Sequence, residues 1–206
     1  MFISFDGVDG VGKSTQVRLL REWLAARGSQ VVTCRDPGST SLGEKLRDVL
    51  LSHHGLPIHR RSEMLLYMAA RSQLVEEIIR PALGRGDWVL SDRYLLANVV
   101  YQAHAGGLDA EEVWQTGSIA TGGLLPHLTI VLDMPAAAAK DRQGRPPDRM
   151  EAQGLEYMER VRQGFLTEAA AARIPIAVVA AERPAEVVHA DVLQLVEQLL
   201  AGGGAR

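Results

Sequence analysis

One cysteine, Cys34, stands in 206 residues. No disulfide can therefore close within the chain, and the thiol reads as a buried strand residue rather than a nucleophile. Aromatic residues make up only 5% of the chain, so the core must be mainly aliphatic and a ring beside polar groups is worth inspecting. Lysine is nearly absent: Lys13, Lys45 and Lys140 stand against 19 arginines. Cationic work falls to forked guanidinium groups, which suit phosphates. With a net charge of −3, no basic excess points to a nucleic-acid partner. No apolar run approaches the roughly 20 residues of a membrane span. There is no internal repeat and no signal-peptide pattern, so the expectation is a cytoplasmic protein without a membrane partner. The single asparagine, Asn98, makes an Asn-Lys-x-Asp guanine reader impossible.

What is present is an alternation. With 47% apolar residues, residues 1–206 read as one α/β domain with an adequate core. Strands are expected at Phe2 to Phe5, Gln30 to Cys34, Trp88 to Ser91, Leu128 to Leu132 and Ile176 to Val179, with mostly helix between them. Five short strands separated by helices predict a three-layer α/β/α fold around a five-stranded parallel sheet with right-handed crossovers. Ligands then lie at the carboxyl ends of the strands.

The first of those ends runs into Gly7-Val8-Asp9-Gly10-Val11-Gly12-Lys13-Ser14-Thr15, which fits the P-loop pattern G-x-x-x-x-G-K-[ST]. Glycines let successive N–H groups converge on one anion, and Lys13 adds a cation for the β- and γ-phosphates of ATP. The Ser14 hydroxyl suits Mg²⁺. Val17, Leu20 and Leu24 then repeat at helical spacing, with Gly28 as a stop. The third strand ends in Asp92-Arg93-Tyr94, where the acid is placed to orient Mg²⁺ or its water shell and the arginine to hold a phosphate in a fork. After the second strand, Arg35-Asp36-Pro37-Gly38-Ser39-Thr40 is a turn with polar side chains. A stretch at about 142–150 lacks apolar periodicity and reads as a lid. His53, His54 and His59 read as surface residues.

In this order the motifs resemble the thymidylate kinase family of P-loop nucleoside monophosphate kinases. The resemblance covers nearly the whole chain: Asp9 to Ser14, Asp36 to Thr40, Leu42 to Arg47, Leu65 to Arg71, Asp92-Arg93-Tyr94, Tyr101-Gln102, Asp148-Arg149-x-Glu151 and Val161 to Phe165. It implies transfer of the γ-phosphoryl of ATP to dTMP, giving dTDP for dTTP synthesis, in a homodimer that uses Mg²⁺. Tyr67 would stack on thymine where the family usually has phenylalanine, and Arg71 would bond the base edge. Asn98 and Tyr101, three apart on one helical face, would read the base and crowd the 2′ position, with Gln102 beside them. Asp9 would reach the acceptor's 3′-hydroxyl and Arg93 would grip its phosphate. No arginine lies within Gly7 to Ser14, so bridging charge must come from Arg142, Arg145 or Arg149 in the lid, with Arg149 the best match. The chain departs from the family at Asp6, usually Glu, at Ser39, often Gly, and at Ala70, often acidic. Two other readings are a different nucleotide or deoxynucleoside kinase on this fold, and a nucleotide switch without turnover.

Overall fold

The computed structural model describes residues 1–52, 55–144, 146 and 148–203. Arg145 and the pair His53 and His54 lie outside the described residues. Strand β1 (Phe2–Asp6) is buried along its whole length, as the central strand of a parallel sheet must be. Helix α1 (Lys13–Ala25) follows the P-loop, turns Val17, Leu20 and Leu24 inward, and gives way to Gly28 at φ 80°. Next come β2 (Val31–Arg35) and α2 (Ser41–Leu51), the latter capped by Thr40, whose hydroxyl accepts the Gly43 N–H at 2.9 Å.

Helix α3 (Arg60–Leu74) runs through a π-helical turn (Val75–Ile79) into α4 (Arg80–Gly84). Pro81 accounts for that turn, because its ring lacks an N–H and would clash with the carbonyl four residues back in a regular helix. After β3 (Trp88–Asp92), α5 (Leu95–Asn98) passes into a second π-helical turn (Val99–His104), followed by α6 (Ala110–Thr121). The chain continues through β4 (Leu128–Asp133), α7 (Ala136–Asp141), a 3₁₀ turn (Glu151–Gln153), α8 (Leu155–Ala171), β5 (Ile176–Ala180) and α9 (Ala185–Gly203).

All pairings are parallel and the strand order is β2-β3-β1-β4-β5. Phe5 and Arg35 both sit opposite Asp92 in the register. The P-loop, the Asp36 turn and the Asp92-Arg93 corner therefore leave the sheet at one level. Each strand runs one residue past its expected end, to Asp6, Arg35, Asp92, Asp133 and Ala180. Four of those added residues are charged, so apolar patterning stops short of the polar rim where ligands are met. No helix among the described residues is long and apolar enough to cross a membrane.

Candidate nucleotide site

The P-loop presses against its neighbours. A Cβ on Gly7 (φ 131°) would stand 2.5 Å from the Leu132 carbonyl oxygen, and one on Gly10 (φ 90°) 2.0 Å from that of Ala139. Only glycine lets the loop follow this path, and a side chain at position 10, arginine included, is sterically shut out. Lys13 is buried and folds back across the loop, its Nζ donating to the carbonyls of Gly7 at 3.1 Å and Val8 at 2.9 Å. Burial and the nearby Arg93 guanidinium lower its pKa, so an incoming phosphate relieves a real electrostatic deficit. Gly10, Gly12, Lys13, Ser14 and Asp92 line one open cleft of about 900 Å³. The Ser14 hydroxyl and the Asp92 carboxylate carry no hydrogen bond to the described residues, and two hard oxygen donors at the mouth of a phosphate loop fit Mg²⁺. Val8, Val11 and Thr15 complete the loop: the two valines are buried in the core and Thr15 is half-buried.

Asp9 forms the wall between this cleft and a second one of about 530 Å³. The expected acceptor residues Asp9, Asp36, Tyr67, Arg71, Arg93, Asn98, Tyr101 and Gln102 all line the second cleft. Arg93 adopts φ 70°, a left-handed conformation that costs a non-glycine residue on the order of 1 kcal/mol and is typical of functional sites. It aims Nη2 at Asp9 Oδ1, 2.8 Å away, and at the Tyr101 hydroxyl, 3.2 Å away. Its Nη1 is buried and has no partner among the described residues, a donor suited to an anion. Burial alone would raise the Asp9 pKa, but Arg93 and Lys13 outweigh it and hold the carboxyl well below the usual range.

Arg71 is fully buried and clamped: Nε donates to Asp36 Oδ2 at 2.5 Å, Nη1 to Asn98 Oδ1 at 2.7 Å and Nη2 to the Tyr94 carbonyl at 3.3 Å. The Asp36–Pro37 peptide is cis. Ser39 has φ 65°, which explains why glycine is usual there, while its hydroxyl accepts the Arg35 N–H at 2.9 Å. Asn98 and Tyr101 do meet at the cleft, but not on one regular helical face, because the π-helical turn begins between them.

Among the described residues, the partners of Arg149 lie on α2 and α3 and none is in the P-loop. Its Nε donates to the Leu50 carbonyl at 2.5 Å and its Nη2 pairs with buried Glu63. In this conformation Arg149 anchors the lid. Arg142 donates to the Ala181 carbonyl at 3.1 Å, and Arg162 forks onto Asp133 at 2.7 and 2.9 Å. Asp148 receives the N–H groups of Met150 and Glu151 while its own N–H meets the Glu151 carboxylate, so the motif Asp148-Arg149-x-Glu151 is a capping box. His59 is exposed and Cys34 buried. Sequence reasoning missed Arg47 and Glu63 as site residues. Arg47 lines the acceptor cleft beside Arg93, and its only sequence signal was the motif Leu42 to Arg47.

A family profile described as thymidylate kinase matches residues 5–192. A thymidylate kinase of Rhodopirellula baltica is 51% identical over 166 residues, which cover 81% of this chain and 67% of its own length. One from Clavibacter sepedonicus is 45% identical over 208 residues, covering 100% of this chain and 98% of the relative. A third, from Symbiobacterium thermophilum, is 45% identical over 201 residues, with 97% and 94% covered. With a P-loop cleft and an arginine-clamped acceptor cleft on either side of Asp9, and likeness of this extent, the chain belongs to the thymidylate kinase family.

Proposed function

We propose that this protein transfers the γ-phosphoryl group of ATP to dTMP, giving dTDP and ADP. The observation that carries the reading is the acceptor cleft: a buried, clamped Arg71 faces it together with Tyr67, while Arg93, across the wall from Lys13, offers an N–H that no described residue engages. A ring face supplies affinity for any base and a fixed donor selects among bases. A dTMP phosphate oxygen attacks the γ-phosphorus, the bond to the β,γ-bridging oxygen breaks, and ADP leaves. The acceptor oxygen is already anionic at neutral pH, so positioned cations matter more than a base.

Lys13 serves the transferring phosphoryl group and Arg93, with Arg47, the acceptor phosphate. Asp9 aligns Arg93 and reaches the acceptor sugar, and Asn98 and Tyr101 border the base and sugar. Mg²⁺, when held by Ser14 and oriented by Asp92, would neutralise charge on the β- and γ-phosphates. Arg149 in its present place holds the lid on α2 and α3, and Arg145, outside the described residues, is the lid arginine proposed to bring charge to the transfer. Exposed Leu42, Leu65 and Ile119 on α2, α3 and α6 are apolar side chains available to the homodimer typical of the family, which sedimentation would detect.

A coupled assay across dTMP, dUMP, UMP, dCMP, AMP and GMP tests the assignment. Turnover of dTMP should exceed that of the purine monophosphates by orders of magnitude, the scale reached by sites that hydrogen-bond their substrate. A purine accepted equally well would refute it. Tight ATP binding without turnover of any monophosphate would favour the switch reading instead.

A further inference from the structure

Glu63, in the first turn of α3, is fully buried and forms part of a continuous polar relay. Its Oε2 accepts from the lid residue Arg149, and its Oε1 from Arg60 Nη1 at 3.2 Å and from Gln102 Nε2 at 3.0 Å. Gln102 Oε1 in turn accepts from Asn98 Nδ2 at 2.5 Å, and Asn98 Oδ1 accepts from Arg71 Nη1 at 2.7 Å. Glu63, Gln102, Asn98 and Arg71 are each almost wholly excluded from solvent.

The direction of this relay is chemically forced. An ionised carboxylate only accepts and a guanidinium only donates, whereas each amide can turn either way. With Glu63 at one end, Gln102 must present its NH₂ to the carboxylate and its carbonyl to Asn98. Asn98 must then give its NH₂ to Gln102, which leaves its carbonyl for Arg71. We infer that Glu63 is a positioning residue for base recognition: its charge sets the orientation of Gln102 and Asn98, and through them holds Arg71 in register for the nucleobase. Arg71 has five N–H groups, and its described bonds to Asp36, Asn98, Tyr94 and Met68 engage four. A reversed Asn98 would set NH₂ against guanidinium and drive this last free donor out of line. Because Arg149 shares the same carboxylate, the lid anchor and the base reader rest on one charge.

The inference rests on dTMP being the acceptor, which binding and turnover by the unmodified enzyme test separately. The experiment compares Glu63→Gln with the exchange variant Glu63→Gln/Gln102→Glu. In the single variant the relay loses its fixed end, and dTMP affinity by titration should fall about tenfold, the loss of one well-made hydrogen bond, with affinity for an ATP analogue unchanged. In the exchange variant the amide at position 63 keeps its carbonyl on Arg149 and turns its NH₂ to the carboxylate now at position 102, displacing only the part-exposed Arg60. That carboxylate also accepts from Asn98, so the polarity reaching Arg71 is restored and dTMP affinity should return to within about threefold of the original. A merely structural carboxylate at position 63 would not be rescued by one at position 102. Unchanged dTMP affinity in the single variant overturns the inference, and so does an exchange variant as weak as the single. Should either protein fail to melt cooperatively, Gln102→Met cuts the relay while leaving Glu63 its two arginines. It must weaken dTMP to a similar extent, and an undiminished affinity there also overturns the inference.

Discussion

Asp6 ends β1 one residue before the P-loop, and both its carboxylate oxygens are buried without a hydrogen-bond partner among the described residues. Burial pushes its pKa from 3.8 to about 7, against the pull of Arg93 and Lys13. Between those two pH values the folded chain holds a proton that the unfolded chain has released, so stability falls as pH rises through the window and levels off above about 7. A shift of this size corresponds to at most about 4 kcal/mol. Asp6→Asn should therefore gain stability over the original chain progressively from about pH 4 to about pH 7 in urea unfolding and hold that gain above it, and a gain independent of pH would show that Asp6 does not titrate there. The site was unevenly legible at this scale. Lys13 and Arg71 stand in motifs whose spacing announces a phosphate or a base, whereas Glu63 is one acid among 25 acidic residues. Only the closure of α3 against the turn bearing Gln102 buries Glu63 and gives its charge a task.

Helices and strands followed from apolar period, but the two π-helical turns did not. Pro81 marks the first of them after the fact, while Val99 to His104 carries no comparable signal and takes its shape from what packs upon it. Helix α8 is one such neighbour. A Cβ on Gly164 would lie 2.8 Å from His104 Cβ and 2.9 Å from Val100 Cγ1, so the motif Val161 to Phe165 is a packing requirement: α8 must lie close to the turn that carries Tyr101 and Gln102. Overfilling such a contact costs about 1–3 kcal/mol. Gly164→Val should lower the melting temperature by roughly 3–10 °C and weaken dTMP more than ATP, because the displaced turn belongs to the acceptor cleft. Gly84→Ala, in a helix where an added Cβ meets none of the described residues within 4 Å, should instead gain up to about 1 kcal/mol. A Gly164→Val protein with original stability and dTMP affinity would mean that α8 does not set the turn.

The alternation of elements foretold a parallel sheet, but not that one connection would border both clefts, since that depends on how the chain closes over the carboxyl ends of β1, β3 and β4. Gln143 and Gly144 line the P-loop cleft, and Asp148 and Met150 line the acceptor cleft. Asp9 touches both sides, through Lys13 at 3.4 Å and Arg93 at 2.8 Å. Two anions brought to opposite faces of Asp9 repel each other, and that opposes joint binding. A connection that borders both clefts opposes the repulsion, because the first ligand to seat it prepares it for the second. With Mg²⁺ screening the donor phosphates, the lid term should win. Either ligand alone at a hundred times its Kd stabilises by about 2.7 kcal/mol, or roughly 5–10 °C in a chain of this length. Together, dTMP and a non-hydrolysable Mg·ATP analogue should raise the melting temperature by more than the sum of their separate shifts, and dTMP should bind at least about fivefold tighter when the analogue is present. Additive shifts would mean that the two clefts share a wall but not a lid, and weaker joint binding would mean that phosphate repulsion governs the ternary complex.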